Sequence, residues 1–242
     1  MKVKTYEKVS SIYEHLMKSL DYQSWSEYIL LIAKENLHLD AKILELGAGN
    51  CKMAKIISEK FKHYYATDIS YPMLNYSNRG NVKKVCCDMT SLPFNYKFDL
   101  IFSTFDSVNY ILKQKSLLKL FIEVNKLLSM DGIFTFDVSL EENSYNYTIS
   151  KRTDGQLNGT RYQILSKYNK RNRIHNNTFY IWNKMGEEYK ESHKEKIYNI
   201  KTYFNLAEKA GLHTEACYDC FDFTNVKKKS KRAQFVMRKI NR

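Results

Sequence analysis

Apolar residues recur along the first 140 residues in two alternating patterns. Five short apolar runs predict buried β-strands, at about 42–46, 63–67, 83–87, 97–103 and 132–138. Apolar residues at helical spacing predict three helices between them, at about 51–60, 71–77 and 115–129. Strands that alternate with helices form a parallel sheet with helices on both faces. The pattern therefore predicts an α/β chain.

The two ends of the chain follow other patterns. Residues 5–38 show helical spacing in two stretches, which predicts a helical cap formed by residues 1–40. Near the other end, a predicted helix at about 200–210 precedes two apolar segments, 212–221 and 233–240. These two segments predict an antiparallel strand pair at the end of the sheet.

An insertion rich in Tyr, Asn and Thr separates the fifth strand from the last helix. It covers residues 139–196, and its alternating segments 162–167 and 178–182 predict strands. We therefore expect a β-rich lid over the active site. The complete prediction is a doubly wound, mostly parallel seven-stranded sheet with an antiparallel C-terminal strand and this inserted lid, in a single domain of residues 1–242.

One predicted turn has the composition of a ligand-binding loop. Gly47-Ala48-Gly49 follows the first strand, and Asp68 closes the second strand about 20 residues later. Glycines at such a turn let the backbone approach a ligand whose space side chains would fill. The acid can accept hydrogen bonds from both ribose hydroxyls. The third glycine of a pyrophosphate-binding loop is missing, with Cys51 near its place, which argues against NAD.

Ordered motifs along the chain resemble the class I S-adenosylmethionine-dependent methyltransferases. Glu45 to Gly49 is similar to their E/D-x-G-x-G motif, and Asp88-Met89 follows the third predicted strand. Residues 98–103 resemble their "FDLI" fourth strand, and 127–137 their entry to the fifth. The loop at 105–110 resembles that of the sugar N,N-dimethyltransferases and glycine N-methyltransferases. The resemblance implies a Rossmann-like fold, S-adenosyl-L-methionine as cofactor and methyl transfer to a small molecule, most plausibly an amine.

The resemblance also implies a set of cofactor-binding residues. The glycine turn lies beneath the amino-acid tail, an acid holds the ribose, and a second acid with its neighbour meets the adenine. A tyrosine of the cap closes over the methionine end, with ordinary helix packing as its alternative. The implied set is Tyr13, Glu45, Gly47, Ala48, Gly49, Asp68, Asp88, Met89 and Phe105. Three of these have structural alternatives: Asp68 as a cap for a helix beginning at Ser70, Asp88 as a turn residue, and Glu45 as a partner of the basic N-terminal region.

Two residues are candidates for proton transfer. His193 lies in a segment that resembles the end of the lid in related enzymes, and a histidine can accept a proton from an amine near neutral pH. We expect it to face the transferred methyl group, with a structural role as the alternative. Asp106, on the loop after the fourth strand, is the competing candidate and can orient an ammonium or a hydroxyl group.

The charge raises the question of a nucleic-acid partner. Lys and Arg total 39 against 26 acidic residues, a net charge of +13. The run from Lys227 to Arg232 falls between the last two strands, where a solvated hairpin tip explains it without a partner. Nucleic acid is therefore compatible but not favoured. An RNA or other macromolecule methyltransferase is the first alternative function, and a non-catalytic S-adenosylmethionine-binding protein is the second.

The remaining features bound the cellular context. No apolar run is long enough to span a bilayer, and the first residues lack the apolar core of a signal peptide, so we expect a cytoplasmic protein without a membrane partner. Five cysteines are most simply reduced thiols. Cys217 and Cys220 form a C-x-x-C without a second ligand pair, so no metal site is predicted. The sequence does not predict an oligomeric state.

Overall fold

The computed structural model describes residues 1–75 and 82–240. In this part of the chain the strands are β1 (Lys42–Leu46), β2 (His63–Asp68), β3 (Lys83–Cys86), β4 (Phe98–Ser103), β5 (Leu128–Ser139), β6 (Lys151–Leu157), β7 (Thr160–Asn169), β8 (Ile174–Trp182), β9 (Glu188–Lys196), β10 (Leu212–Asp219) and β11 (Arg232–Lys239). The α-helices are α1 (Tyr13–Leu16), α2 (Tyr22–Ile32), α3 (Lys52–Ile57), α4 (Tyr71–Asn75), α5 (Gln114–Leu127), α6 (Glu141–Ser144) and α7 (Ile200–Lys209). Short 3₁₀ helices occupy Val9–Ser11, Lys34–Asn36, Ser107–Tyr110 and Tyr145–Tyr147.

Seven strands form the main sheet, in the order β10-β11-β5-β4-β1-β2-β3. β1 pairs in parallel with β2 and with β4, and β4 pairs in parallel with β5. β11 runs antiparallel to both of its neighbours, β5 and β10. The predicted seven-stranded sheet with an antiparallel C-terminal strand is confirmed.

Helices cover both faces of the main sheet, as the alternation of strands and helices requires. On α5 the buried residues recur at helical spacing, with Leu117, Phe121 and Val124 packed in the core of one face. On the other face, Ile29 of α2 and Ile57 of α3 are fully buried against the sheet. Both faces of the main sheet are therefore shielded from solvent, and for this reason its strands have nearly continuous apolar sequences.

Most predicted boundaries differ from the observed ones by a few residues at most. The larger difference is at β5, which begins at Leu128 rather than at 132 because Leu128 already pairs with Phe98 ahead of an irregularity in the ladder. The cap, residues 1–40, contains two 3₁₀ helices and two α-helices instead of two helices. The end of the helix predicted at 71–77 lies outside the described residues.

A second, four-stranded sheet lies between β5 and α7 in the sequence. Its order is β6-β7-β8-β9, and every neighbouring pair is antiparallel. The two strands predicted at 162–167 and 178–182 lie within β7 and β8. The buried Asn109 side chain ties the two ends of this insertion together, because Nδ2 donates to the carbonyl oxygens of Ser139 (3.2 Å) and Lys196 (3.0 Å).

The N-terminal segment lies along the second sheet. Lys2 forms a parallel bridge with Lys190 of β9. Val9 and Ile12 are buried in one apolar cluster with Phe179 of β8. This segment then leads into α1 and α2, which reach the main sheet. In the described residues no helix is both long and apolar enough to cross a membrane.

Candidate active site

The turn between β1 and α3 brings the backbone close to the segment after β4. Gly47 and Gly49 have φ values of 69° and 53°, in the left-handed region that favours glycine. A Cβ atom on Gly47 would lie 2.8 Å from the Cβ of Ser107. The Ala48 amide donates to the Thr67 carbonyl oxygen (2.8 Å), which fixes the turn to the end of β2. Glycine at position 47 is therefore a steric requirement.

A cavity of about 550 Å³ opens above this turn, at the C-terminal ends of the parallel strands. Tyr6, Tyr13 and Tyr22 of the N-terminal segment line it together with the glycine turn. All nine residues expected to bind the cofactor line this one cavity: Tyr13, Glu45, Gly47, Ala48, Gly49, Asp68, Asp88, Met89 and Phe105. His193 and Asp106 are not among the lining residues.

Asp68 combines the two roles that its sequence position suggests. Its carboxylate accepts hydrogen bonds from the Gly49 amide (2.8 Å) and the Ser70 amide (2.7 Å), and so orders both the glycine turn and the start of the next helix. Burial raises the pKa of Asp68, although both amides and the Ile69 amide oppose the rise. The carboxylate also lines the cavity, where its remaining lone pairs can accept ligand hydroxyl groups.

Glu45 does not pair with the basic N-terminal region. Its side chain is only 2% exposed, and it accepts a hydrogen bond of 2.6 Å from the hydroxyl of the buried Tyr64. Burial raises the pKa of Glu45 to about 8, with the Tyr64 hydrogen bond opposing the rise and Asp68 adding to it. The cavity therefore has a carboxyl group beneath it that a ligand cation would ionise.

Asp88 and Met89 form the side of the cavity beyond β3. Asp88 is exposed, and its carboxylate accepts a hydrogen bond from the Thr90 amide (2.7 Å), which is the turn role considered as the alternative. It lines the cavity as well, so the turn role and a ligand role are compatible. The Met89 Cε atom lies 3.5 Å from where a Cβ of Gly47 would be, which places this side chain close to the glycine turn.

The residues after β4 have an unusual backbone. Phe105 and Asp106 have φ values of 58° and 51°. This conformation places the Phe105 ring in the cavity wall, against Tyr22 (ring centroids 5.4 Å apart) and Trp25 (4.8 Å). The next side chain, that of Asp106, points to Arg232 instead, with 3.0 Å between Nη2 and Oδ2.

Arg232 is not part of a solvated hairpin tip, as its position in the lysine run suggested. Its guanidinium group is half-buried and hydrogen-bonds the carboxylates of both Asp106 and Asp137. Asp137 is fully buried, and its Oδ1 has no hydrogen-bond partner among the described residues. Burial raises the pKa of Asp137 to about 6, with Arg232 opposing the rise. The prediction failed here because the arginine begins β11, whose first residue turns inward.

His193 does not face the cavity directly, contrary to our expectation. It is 2% exposed, and its Nε2 lies 3.1 Å from Oε2 of the fully buried Glu191. Its Nδ1 lies 3.3 Å from the hydroxyl of Tyr110, which in turn lies 2.8 Å from the hydroxyl of Tyr6. Both tyrosines line the cavity. His193 is therefore separated from the cavity by the side chains of Tyr110 and Tyr6, which line it.

The sequence analysis missed Tyr6, Tyr110, Glu191 and Arg232 as members of the site. Glu191 and His193 are two residues apart on a strand, so their shared face was a usable signal. Tyr6 carries no local signal, because its place depends on the pairing of the N-terminal segment with β9.

The lining residues fit S-adenosylmethionine. The volume lies within the range of about 300–1,000 Å³ typical of small-molecule sites. The glycine turn forms a backbone cradle that side chains would fill. Carboxyl groups lie around the glycine turn, and they suit the ammonium and the ribose hydroxyls of the cofactor. Lys52 also lines the cavity, but its charge is already paired with Glu14 at 2.9 Å. In the described residues, no three His, Cys, Asp or Glu side chains cluster so as to hold a metal ion.

Comparisons with known proteins agree with this geometry. Residues 43–132 match the family model described as a methyltransferase domain. Over 97% of both chains, the protein is 24% identical to the putative methyltransferase YqeM of Bacillus subtilis. An S-adenosylmethionine-dependent methyltransferase structure from Clostridium acetobutylicum superposes with a TM-score of 0.82 at 24% identity, covering 98% of this chain and 99% of the other.

A second solved structure, the sugar N-methyltransferase KedS8 from a Streptoalloteichus species, superposes with a TM-score of 0.78 at 14% identity, covering 96% and 93% of the two chains. At such identities the superpositions establish the fold, and the domain match covers the segment that carries the glycine turn. The chain therefore has the fold of the S-adenosylmethionine-dependent methyltransferase structures, and its residues 43–132 are similar to a methyltransferase domain.

Proposed function

We propose that the protein transfers a methyl group from S-adenosylmethionine to a nitrogen atom of a small-molecule amine. The observation that carries the proposal is the composition of the cavity above the glycine turn, where Tyr6, Tyr13, Tyr22 and Tyr110 line the same space. Aromatic rings and phenol oxygens attract ammonium groups and exclude water from a neutral amine. The fold similarity to a sugar N-methyltransferase supports the same acceptor class.

In this proposal the cofactor is held by the residues that line the cavity. Asp68 accepts hydrogen bonds from the ribose hydroxyls, and Asp88 and Met89 meet the adenine. Glu45 and the glycine turn hold the amino-acid tail. When bound, S-adenosylmethionine supplies a methyl group on a sulfonium that is a good leaving group, so the chain's main contribution is to hold the acceptor in line with it.

Two further residues position the reacting centre. The Phe105 backbone would lie beside the sulfur of the bound cofactor, and the Phe105 ring packs against Tyr22 and Trp25. Tyr13 closes over the methionine end, with its pKa raised mainly by burial so that it stays neutral. Of the two candidates for proton transfer, Asp106 is the weaker, because Arg232 already occupies one of its carboxylate oxygens. His193 is the stronger candidate, although it can act only through the groups between it and the cavity.

The second sheet forms the lid in this proposal. In the described part of the chain none of residues 139–196 lines the cavity itself, so we propose that they influence acceptor choice through the N-terminal segment that they support. Residues 1–40 form the cap, within a single domain of residues 1–242. The N-terminal segment connects cap and lid through the pairing of Lys2 with Lys190 and the burial of Val9. A cytoplasmic location, inferred from the sequence, belongs to the same proposal.

The direct test is consumption of the methyl donor in the presence of candidate acceptors. Purified protein is incubated with S-adenosylmethionine and either amino sugars, small primary and secondary amines, or RNA oligonucleotides, and S-adenosylhomocysteine is measured. We expect turnover with one or more amines and none with RNA. Turnover with RNA alone would replace the proposal with the macromolecular function. Cofactor binding without turnover in any pool would favour a non-catalytic binding protein.

A further inference from the structure

A chain of buried polar groups connects the second sheet to the cavity. It begins at Glu191, which is fully buried on β9. Its Oε1 accepts hydrogen bonds from the backbone amides of Lys8 and Val9, and its Oε2 contacts Nε2 of His193. The chain continues through the hydroxyls of Tyr110 and Tyr6, which line the cavity. We call the four side chains Glu191, His193, Tyr110 and Tyr6 the relay.

The hydrogen-bond inventory fixes the direction of the relay. A carboxylate is only an acceptor, so Nε2 of neutral His193 must carry the hydrogen that it donates to Glu191. Nδ1 then has a lone pair and accepts the Tyr110 hydroxyl hydrogen. The Tyr110 oxygen is therefore free to accept the hydrogen of Tyr6 across their 2.8 Å contact. Every donor points away from the cavity, and the Tyr6 oxygen at the end offers its lone pairs to a ligand hydrogen.

The phenols of the relay are neutral in the free protein. Burial is the main cause that raises the pKa of both Tyr6 and Tyr110 well above the ordinary value of 10.0. Each phenol can therefore pass on a proton only as it receives another. The nearby carboxyl group of Glu195 acts in the same direction on both phenols.

Tyr6 is held in place against its backbone preference. Its φ value is 62°, in the left-handed region that non-glycine residues seldom adopt. Its ring stands edge-on to His193, with centroids 4.5 Å apart and planes at 79°, and it also meets Tyr13. Glu191 holds the backbone of Lys8 and Val9, which lie two and three residues after Tyr6. The same carboxylate thus orients the histidine and positions the strained tyrosine.

We infer that this relay carries the proton of the acceptor nitrogen from the cavity to His193, with Glu191 as the positioning residue. The inference rests on the proposed amine methylation. The acceptor binds as an ammonium and donates one N–H proton to the Tyr6 oxygen, the Tyr6 hydroxyl proton passes to Tyr110, and the Tyr110 proton passes to Nδ1 of His193. The nitrogen lone pair so released forms the bond to the methyl carbon as the carbon–sulfur bond breaks and its electron pair stays on sulfur. Glu191 stabilises the resulting imidazolium.

Conservative variants separate a proton path from a merely structural network. Tyr6→Phe and Tyr110→Phe keep the rings but interrupt the path, and Tyr162→Phe is the matched control. Tyr162 is buried in the apolar cluster that Tyr6 and Tyr13 pack against, and its hydroxyl is outside the relay. With the best amine from the acceptor screen, we expect each relay variant to lower kcat about 100-fold, with the Kd of S-adenosylmethionine within about twofold of wild type and a change in the acceptor KM much smaller than the change in kcat.

Members of a series path are non-additive, so the double variant should be no slower than the slower single variant. The control should keep the wild-type kcat. Wild-type kcat in both Tyr6→Phe and Tyr110→Phe would overturn the relay while leaving amine methylation intact. Absence of turnover by the wild-type protein with every amine would instead contradict the proposed function.

A spectroscopic measurement tests the relay without any acceptor. In histidine-labelled ¹⁵N protein, the His193 resonances are identified by their loss in His193→Gln. We expect neutral His193 to carry its proton on Nε2, and its Nδ1 resonance to shift in Tyr110→Phe but not in Tyr162→Phe. A proton on Nδ1, or an Nδ1 resonance unchanged in Tyr110→Phe, would overturn the relay whatever the acceptor screen shows.

Discussion

The hydroxyl of Tyr64 donates a 2.6 Å hydrogen bond to the carboxyl group of Glu45 from the neighbouring strand β2. Both side chains are buried, and among the described residues no cation contributes to the pKa of Glu45. The pKa of Glu45 is raised by burial to about 8, from an ordinary 4.5. The folded protein therefore holds a proton that the unfolded chain has released over that pH interval.

This pair predicts a pH-dependent stability difference between wild type and Glu45→Gln. The folded state binds more protons than the unfolded state between about pH 5 and 8, so wild-type stability falls as pH rises through that window. Urea unfolding at pH 5.5, 7.0 and 8.5 measures the difference. We expect the free energy of unfolding of wild type, relative to that of Glu45→Gln, to fall by about 1–3 kcal/mol across the window. A difference that stays constant with pH would contradict the assigned protonation of Glu45.

Gly47→Ala should weaken cofactor binding while leaving the overall fold intact. The added methyl would lie 2.8 Å from the Ser107 side chain, and the residue has a φ of 69°. The turn or the 3₁₀ helix after β4 must therefore move. Calorimetry should show at least about a tenfold weaker affinity for S-adenosylhomocysteine, equivalent to about 1.4 kcal/mol.

Gly186→Ala is the control for Gly47→Ala. Gly186 also has a positive φ of 80°, but a Cβ there meets nothing within 4 Å. It shares the backbone strain and lacks the steric conflict, so the cofactor affinity should stay at the wild-type value. Equal loss of affinity in both variants would show that backbone strain, rather than the close approach to Ser107, is responsible.

Asp68→Asn and Asp68→Ala should separate the two roles of this residue. Asparagine keeps one oxygen for a backbone amide, whereas alanine leaves the amides of both Gly49 and Ser70 without their acceptor. Both variants lose the charged acceptor, so cofactor affinity should fall by about 1.5–3 kcal/mol in each. Thermal unfolding should show the larger stability loss in Asp68→Ala. Wild-type affinity in a folded Asp68→Ala protein would exclude the ribose role.

Arg232→Gln should be strongly destabilising, by about 3–5 kcal/mol, because it leaves the buried Asp137 without its counter-charge. The cost should be smaller at pH 5 than at pH 8. With its pKa at about 6, Asp137 is mostly protonated at pH 5 and then needs no cation. Chemical unfolding at the two pH values measures this dependence.

The neighbouring lysines provide the matched control for Arg232→Gln. Lys227, Lys228 and Lys229 lie in the turn between β10 and β11, with exposed side chains. Replacing all three with Gln should change stability by no more than about 0.5 kcal/mol per residue. It should also reduce any salt-dependent RNA affinity. A stability loss as large as that of Arg232→Gln would mean that the turn itself is a structural element.

The sequence predicted those features that depend on neighbours along the chain. The glycine turn, Asp68 and the alternation of strands with helices are local patterns, and all nine expected cofactor residues line one cavity. The positions of His193 and Arg232 depend instead on long-range pairing. The histidine lies behind Tyr110 because β9 packs against the 3₁₀ helix Ser107–Tyr110, and Arg232 turns inward because β11 lies beside Asp137 on β5. No local periodicity encodes either contact.

The place of β11 in the sheet has a consequence for synthesis of the chain. This strand comes last in the sequence yet lies between β5 and β10, so a ribosome-bound chain that has reached Asp219 has both of those strands but not the one between them. The apolar edge of β5, with Phe134 and Phe136, is then open to pairing with other chains. At that stage Asp106 and Asp137 also lack their ion pairs with Arg232, the first residue of β11. The contacts of Arg232 with these two carboxylates, which lie behind the cavity, can therefore form only after β11 has been synthesised.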